Sequence, residues 1–238
     1  MIKYSNIPNE ISTDRISFRR CKLAKGEKAS VPLDSEKIVL ILLNGKECYL
    51  TVDKDLINIT EASAFIPDFG RSPYTIHAVD DIEFILCTFE MNEWDKKFFK
   101  GWNLHLPYFS LYSDGVRFNR NDRSKELANY SLIQPFQIGH LSLNVATGAS
   151  GKVFSSRGNS LQNQWFYLAD ASNVTVTIGK EKPSTKSKGD FFLVPENSSF
   201  SIESDSPITL FCLEYFTAED IQKNYLAQIY NGRMTEVQ

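Results

Sequence analysis

The 238-residue sequence contains only three histidines and four cysteines, and neither residue type is clustered. The four cysteines form no CxxC pair, which argues against a zinc ribbon or a thioredoxin-type redox site. We expect buried free thiols, since a free cysteine behaves as a small hydrophobic side chain. No apolar run approaches the ~20 residues that span a bilayer, and the N-terminus MIKYSNIPNEISTDR lacks the apolar core of a signal peptide. These absences predict a cytoplasmic protein with no membrane partner.

The charges show no strong excess of either sign. The net charge is −3 and the predicted pI is about 5.7. Basic residues are densest at Arg19–Arg20 and between Lys180 and Lys188, and neither place forms a long basic stripe. Proteins that bind nucleic acids draw much of their affinity from a concentrated positive face. We therefore expect no nucleic-acid partner.

Short apolar or alternating segments, rich in Val, Ile, Phe, Tyr and Thr, dominate the chain. Turn residues bound them at intervals of roughly 8–12 residues, which is typical of a β-sandwich or β-barrel. Two segments differ: residues 91–100 are expected to form a short helix, and Thr217 to Asp220 resemble a capping box before a C-terminal helix. The predicted strands are residues 37–43, 46–52, 63–67, 82–89, 140–146, 164–169, 173–178, 190–195 and 208–216.

The two halves of the chain repeat the same order of turn and strand residues. Gly26 and Gly151, Pro67 and Pro195, and Cys87 and Cys212 are separated by nearly the same number of residues. Repetition at a fixed spacing indicates duplicated structural units. The predicted domains are an N-terminal barrel (1–90), a partly helical linker (91–130), a C-terminal barrel (131–216), and a C-terminal helix and tail (217–238).

The stretch GDFFLVPENSSFSIES resembles the second motif of the cupin superfamily of β-barrels. In that motif Gly is followed by five residues, Pro-x-Gly, two residues, His, three residues and Asn. Gly189 and Pro195 match the frame, whereas Phe200 stands at the histidine and Ser204 at the asparagine. The layout is similar to that of bicupins such as ureidoglycine aminohydrolase, pirin-like proteins and uronate isomerases. The resemblance implies an all-β fold of two cupin barrels with a C-terminal helix.

The first cupin motif places metal ligands between two glycines, and here its frame also lacks histidine. Cupins bind iron, manganese, nickel or zinc through three histidines and one glutamate. The slots hold Pro32, Asp34 and Ile38 in the first half, and Arg157, Asn159 and Asn163 in the second half. We therefore expect degenerate metal sites, with no metal and no cofactor. Phe200 is expected to fill the interior of the second barrel.

Several polar residues are nevertheless suited to binding or acid–base chemistry. His140, Ser142 and Asn144 would share one face of a strand, although alternation alone leaves open whether that face points inward or to solvent. His77 and His140 are the candidate catalytic residues. Amide and aromatic groups suit a sugar or another polar ligand. The candidate ligand-binding residues are Asn144, Arg157, Asn159, Asn163, Gln164 and Tyr167.

Three functions stay open at this point. The leading hypothesis is a metal-free bicupin that binds a small polar ligand, either a sugar or a carboxylate. The second is an isomerase or hydrolase of a polar metabolite, so that enzymatic activity is undecided. The third is a structural or regulatory protein with filled barrels. The resemblance to cupins also implies a homodimer.

Overall fold

A computed structural model describes residues 3–6, 15–30, 37–43, 47–68, 74–102, 104–119, 123–148, 150–157 and 162–216. The chain forms two compact units. The first comprises Met1–Trp94 and Asn103–Val116, and the second comprises Asp95–Trp102 and Arg117–Gln238. Each unit consists of a six-stranded and a four-stranded sheet, which confirms the predicted all-β, two-barrel architecture.

The described residues of the first unit form ten strands. Its six-stranded sheet has the order β1-β2-β9-β4-β7-β10, and its four-stranded sheet has the order β3-β8-β5-β6. The strands are β1 (Lys3–Asn6), β2 (Ile16–Leu23), β3 (Lys28–Ala29), β4 (Lys37–Leu43), β5 (Cys48–Val52), β6 (Asp55–Asn58), β7 (Ser63–Ile66), β8 (Tyr74–Ala78), β9 (Ile82–Glu90) and β10 (Tyr108–Leu111).

The second unit has corresponding strand orders. They are β11-β12-β13-β20-β15-β18 in the six-stranded sheet and β14-β19-β16-β17 in the four-stranded sheet. The strands are β11 (Val116–Phe118), β12 (Leu127–Ile138), β13 (Leu141–Gly148), β14 (Gly151–Arg157), β15 (Gln162–Asp170), β16 (Val174–Ile178), β17 (Ser184–Lys186), β18 (Phe191–Val194), β19 (Ser199–Ser204) and β20 (Ile208–Phe216).

All nine predicted strands and the helix at residues 91–100 are confirmed, the helix as α1 (Glu93–Trp102). The described helix is too short to cross a membrane. The segment predicted as a linker also contains β10 and β11. The predicted C-terminal helix lies outside the described residues.

The core of the second unit lies between its two sheets. Phe166 of β15 stacks on Phe192 at 5.3 Å between ring centroids, and it contacts Phe154 edge-on at 5.5 Å. Alternation along the strands directs one side-chain set into this core. The members of this cluster, which we term the apolar core, are Leu127, Ala146, Val153, Phe154, Phe166, Leu168, Val174, Val176, Phe192, Val194, Phe200, Ile202, Ile208, Leu210 and Cys212.

The cysteines occupy different faces in the two units. All four are buried and free, as predicted. Cys212 belongs to the apolar core of the second unit. The core cluster of the first unit includes Leu86 of β9 but not its neighbour Cys87. Because Leu86 faces the core of the first unit, its neighbour Cys87 faces away from that core. The spacing of the two cysteines therefore does not relate equivalent positions, and that part of the predicted repeat is wrong by one residue.

Candidate functional site

A group of polar side chains continues the inner face of the second unit beyond the apolar core. On β20, Glu214 follows Cys212 by two residues, and on β15, Gln164 precedes Phe166 by two residues, so both point to the core side. In the strand register, Glu214 is paired with Ser142 on one side and Gln164 on the other. We term the group formed by Ser142, Asn144, Gln162, Gln164 and Glu214 the Glu214 cluster.

The carboxylate of Glu214 accepts hydrogen bonds from the four other members of the cluster. Its Oε1 atom accepts from Nε2 of Gln162 and Nε2 of Gln164, each at 3.0 Å. Its Oε2 atom accepts from Oγ of Ser142 at 3.2 Å and Nδ2 of Asn144 at 3.1 Å. Amide nitrogens only donate, so the three amides must bond to acceptor positions of this carboxyl group. The carboxyl group is buried, and neutral donors replace the water that it lost.

The two glutamines of the cluster keep an unused acceptor. Their side chains are 1% and 2% exposed, and neither Oε1 atom has a hydrogen-bond partner among the described residues. An unsatisfied buried acceptor costs about 1–3 kcal/mol. Such a group in a folded protein indicates that something else donates a hydrogen bond to it.

The predicted ligand-binding residues divide between the two faces of the sheet. Asn144 and Gln164 belong to the Glu214 cluster. Asn163 and Tyr167 lie on the opposite face of β15, where Oδ1 of Asn163 accepts from the backbone N–H of Glu196 at 3.1 Å. The backbone of Arg157 is in β14, and Asn159 lies outside the described residues.

His140 is buried, but it does not continue the alternating face of β13. It lies in the turn before that strand, and its ring contacts Tyr215, on the face of β20 opposite to Glu214, at 5.8 Å. Oδ1 of Asp95 accepts from the backbone N–H of His140 at 2.9 Å and lies 2.6 Å from its Nδ1. The predicted common face of His140, Ser142 and Asn144 is therefore correct only for the last two.

His77 lies on the outer face of the four-stranded sheet of the first unit. Its neighbours Ile76 and Ala78 point into the core of that unit, so His77 points away from it. The ring stacks on Tyr49 at 4.4 Å, and Nε2 lies 3.0 Å from Oγ1 of Thr51. His77 therefore interacts with side chains of its own barrel on the outer face of the sheet, and a catalytic role for it stays a prediction.

The corresponding positions of the first unit differ in exposure and charge. Ser17 and Arg19 of β2 lie on the same face as the core residue Cys21, but both are exposed. Lys37 of β4 forms an ion pair with Glu90 at 2.6 Å. The first unit therefore has charged, accessible groups where the second unit has buried neutral donors around one carboxylate.

The slots of the metal motif do not fit a metal where they are described. Phe200 is buried in the apolar core, 5.7 Å from the ring of Phe166, which confirms its predicted position. Ile38 is also buried, but it lies on the face of β4 opposite to the core residue Val39, so it does not fill the barrel interior. Among the described residues, no three or more His, Cys, Asp or Glu side chains are grouped to hold a metal ion.

The cupin motifs do not indicate Glu214, because it lies outside their ligand slots. A signal for it is present in the segment ITLFCLEYF, where Glu214 is the only charged residue. A charged side chain in such a segment is expected to be buried with partners, since charged residues are almost never fully buried otherwise. The donors, Gln162 and Gln164, are in the neighbouring amide-rich segment.

Known proteins resemble this chain in structure but not in sequence. Neither a scan against protein-family models nor a search of curated sequences finds a match. Protein Ylba from E. coli is 8% identical with a TM-score of 0.66, and the match covers 92% of this chain and 83% of that one. A cupin 2 conserved barrel domain protein from Leptotrichia buccalis is 12% identical with a TM-score of 0.57, covering 90% and 89%.

A further solved structure extends the same likeness. Oxalate decarboxylase from Lactobacillus farciminis, crystallised as a formate complex, is 11% identical with a TM-score of 0.59, and the match covers 91% of this chain and 81% of that one. At these identities the likeness concerns the fold. Together with the paired sheets of both units, it shows that this chain has the cupin fold.

Proposed function

We propose that the second unit binds a small polar molecule that donates hydrogen bonds to the Glu214 cluster. The observation that carries this proposal is the pair of Oε1 atoms on Gln162 and Gln164, both buried and without a described partner. Amide oxygens only accept hydrogen bonds, so they suit the hydroxyl groups of a sugar, whereas a carboxylate has no proton to donate. Of the two ligand classes expected from the sequence, a sugar therefore fits this unit better than a carboxylate.

The proposal is tested by measuring monosaccharide binding by titration calorimetry. The key variants are Gln162→Met and Gln164→Met, since methionine matches the length of glutamine and lacks its amide. The control is Asn163→Leu, because Asn163 adjoins Gln164 on β15 but points to the opposite face. We expect at least a ten-fold weaker affinity in the key variants and no change in the control. Equal loss in all three, or loss only in Asn163→Leu, would contradict this site.

An isomerase or hydrolase is a second candidate, and the Asp95–His140 pair favours it. Oδ1 of Asp95 lies 2.6 Å from Nδ1 of His140 and orients the imidazole, as in many histidines that transfer protons. In such a reaction Nε2 would exchange the proton with the substrate. The test is to compare turnover of polar metabolites by the wild type and His140→Gln. If the wild type binds the metabolite but does not convert it, the enzymatic function is contradicted and the binding function stands.

The homodimer expected from the resemblance to cupins stays a prediction. Light scattering over a range of protein concentrations tests it directly. A mass of one chain at all concentrations would contradict it, and binding by the second unit does not depend on the outcome.

A further inference from the structure

The outer face of the four-stranded sheet in the first unit carries a row of polar and aromatic side chains. Strand pairing places the four members of this row side by side across β3, β8, β5 and β6: Lys28, His77, Tyr49 and Asn58. Their neighbours along the strands pack into the core of the unit, so the row points outward. Lys28 and Asn58 are exposed, and the two rings are half-buried. The row is therefore accessible from solvent.

The ring of Tyr49 is held in this row by the ring of His77. The two ring planes are parallel to within 5°, and the centroids are 4.4 Å apart, close to the separation of about 4.8 Å between neighbouring strands. Oγ1 of Thr51 lies 3.0 Å from Nε2 of His77 and fixes the imidazole. Because β8 and β6 flank β5 on opposite sides, the other face of Tyr49 is turned toward Asn58. A further ring on that face would continue the stack.

A cavity of about 330 Å³ adjoins Tyr49 and Asn58. This volume is at the lower end of the range for small-molecule pockets. Val79, which lines the cavity, is 55% exposed, and Leu56, which precedes Asn58 by two residues on the same face of β6, is 60% exposed. Large apolar side chains that are exposed beside a cavity indicate a binding surface. The lining residues carry no charge: Cys48, Tyr49, Asn58, Ile59, Thr60 and Val79.

The same face of the second unit lacks these features. At the positions that correspond to the two rings and the asparagine, it has short or charged side chains: Thr175, Glu203 and Thr185. Such side chains are ordinary for the solvated face of an antiparallel sheet. The fold therefore does not require aromatic rings at this face, and the stacked pair is a specific feature of the first unit.

We propose that this cavity binds a small neutral heteroaromatic molecule, whose ring stacks on Tyr49 and whose polar edge forms hydrogen bonds with the amide of Asn58. Aromatic rings attract each other in offset stacks of this kind, and the asparagine amide offers a donor and an acceptor in one plane. A monosaccharide fits less well, because it has more hydroxyl groups than the polar side chains of Tyr49, Asn58 and Thr60 can satisfy. The site is separate from the Glu214 cluster of the second unit.

The test is an NMR titration of the full chain with nicotinamide, a neutral aromatic ring that carries a carboxamide. Cyclohexanecarboxamide is the matched probe, since it keeps the carboxamide on a saturated ring. Nicotinamide should shift the side-chain amide signals of Asn58 in a saturable manner. We expect it to bind about ten-fold more tightly than cyclohexanecarboxamide, which corresponds to the loss of one stacking interaction.

Two variants remove the contacts of the proposed site. Tyr49→Leu removes the ring, and Asn58→Val removes the amide at an exposed position of β6 where the fold does not depend on it. Each should weaken the binding of nicotinamide, observed through its own ring-proton signals, by about ten-fold. The control is Thr185→Val, which makes a similar change at the corresponding position of the second unit and should bind nicotinamide as the wild type does.

Three results would overturn the proposal. The first is the absence of a saturable shift of Asn58 with nicotinamide. The second is equal affinity for the two probes, or unchanged affinity in both Tyr49→Leu and Asn58→Val, because the ring and the amide would then contribute nothing. The third is a saturable shift of Asn58 with glucose and none with nicotinamide, which would assign the cavity to a sugar.

Discussion

Gln164 donates a hydrogen bond from Nε2 to Oε1 of Glu214 at 3.0 Å, while its own Oε1 is buried without a described partner. The nitrogen of this amide is thus satisfied by the carboxyl group of Glu214. Its oxygen has no donor among the described residues. This relationship is the basis of the binding function proposed for the second unit.

Replacing Glu214 by glutamine should destabilise the protein although the side-chain shape is nearly unchanged. The new amide nitrogen would face donors, and the remaining bonds would lose their charged acceptor. We expect a loss of about 2–3 kcal/mol in the free energy of unfolding, the range for hydrogen bonds to charged groups. Urea denaturation measures it. The control is Glu181→Gln at an exposed turn, whose free energy of unfolding should stay within about 0.5 kcal/mol of the wild type. An equally small effect of Glu214→Gln would contradict a buried carboxyl group that accepts four hydrogen bonds.

Gly139→Ala should be more damaging than Gly151→Ala. Both glycines have positive φ, +69° and +74°, so both variants carry a similar backbone strain. A Cβ at Gly139, however, would overlap Oδ1 of Asp95, whereas a Cβ at Gly151 meets nothing within 4 Å. We expect Gly151→Ala to cost about 1 kcal/mol and Gly139→Ala to cost clearly more. Thermal and urea unfolding of the two variants check this.

A double variant tests whether the carboxylate of Asp95 lies close to Gly139, in the turn that precedes β13. If Asp95→Ala is combined with Gly139→Ala, removing the carboxylate should relieve part of the clash. The double variant should then be less destabilised than the sum of the two single variants. Simple additivity would contradict the close approach of Asp95 to Gly139.

Phe200→Ala should open a cavity in the apolar core of the second unit. Phe200 is 4% exposed, and its ring packs against Phe166. Truncating a buried phenylalanine to alanine typically costs about 3–5 kcal/mol, and Phe200→Leu should cost much less. Phe200→His restores the residue type of the cupin motif, yet among the described residues of the apolar core only Cys212 could join it as a ligand, which is fewer than the three or four ligands that a metal site needs. Added metal should therefore not raise the melting temperature of this variant. A metal-dependent stabilisation of Phe200→His would contradict this description of the core.

The buried thiols should make the protein less stable at high pH. Burial raises the pKa of Cys21 and Cys48 from 9.0 to about 12, with the charge of Arg19 partly offsetting the rise at Cys21. The unfolded chain therefore loses thiol protons at a lower pH than the folded chain. The stabilisation is complete below about pH 9 and is lost as the pH rises from 9 toward 12.

A double variant, Cys21→Ala with Cys48→Ala, isolates this effect. Its free energy of unfolding should fall less steeply between pH 9 and pH 11 than that of the wild type, by up to about 1.4 kcal/mol per pH unit for each thiol. In a parallel measurement, a thiol reagent at pH 8 should modify the four cysteines only after denaturation. Rapid modification of the folded protein would show that the thiols are accessible and would remove the basis of the pH effect.

The strands could be predicted from sequence because their side-chain pattern is local, and the position of Phe200 followed from the glycine and proline frame of its motif. It was harder to predict which face of a sheet each side chain occupies, since a shift of one residue along a strand moves a side chain to the other side of the sheet. This is why Asn163 and Gln164, which are adjacent on β15, were both predicted at the site although only Gln164 belongs to the Glu214 cluster. The contact of His140 with Asp95 joins residues far apart in sequence, and no local pattern indicates it.

The most direct test of the binding site is an NMR titration of the side-chain amide signals of Gln162 and Gln164, assigned by their absence in the two methionine variants. A monosaccharide should shift both pairs of signals together and saturate at one ligand per chain, while the side-chain amide of Asn163 stays unchanged. Saturable shifts at Asn163 with none at Gln162 and Gln164, or no saturable shift at all, would contradict the proposal that the Glu214 cluster receives the ligand.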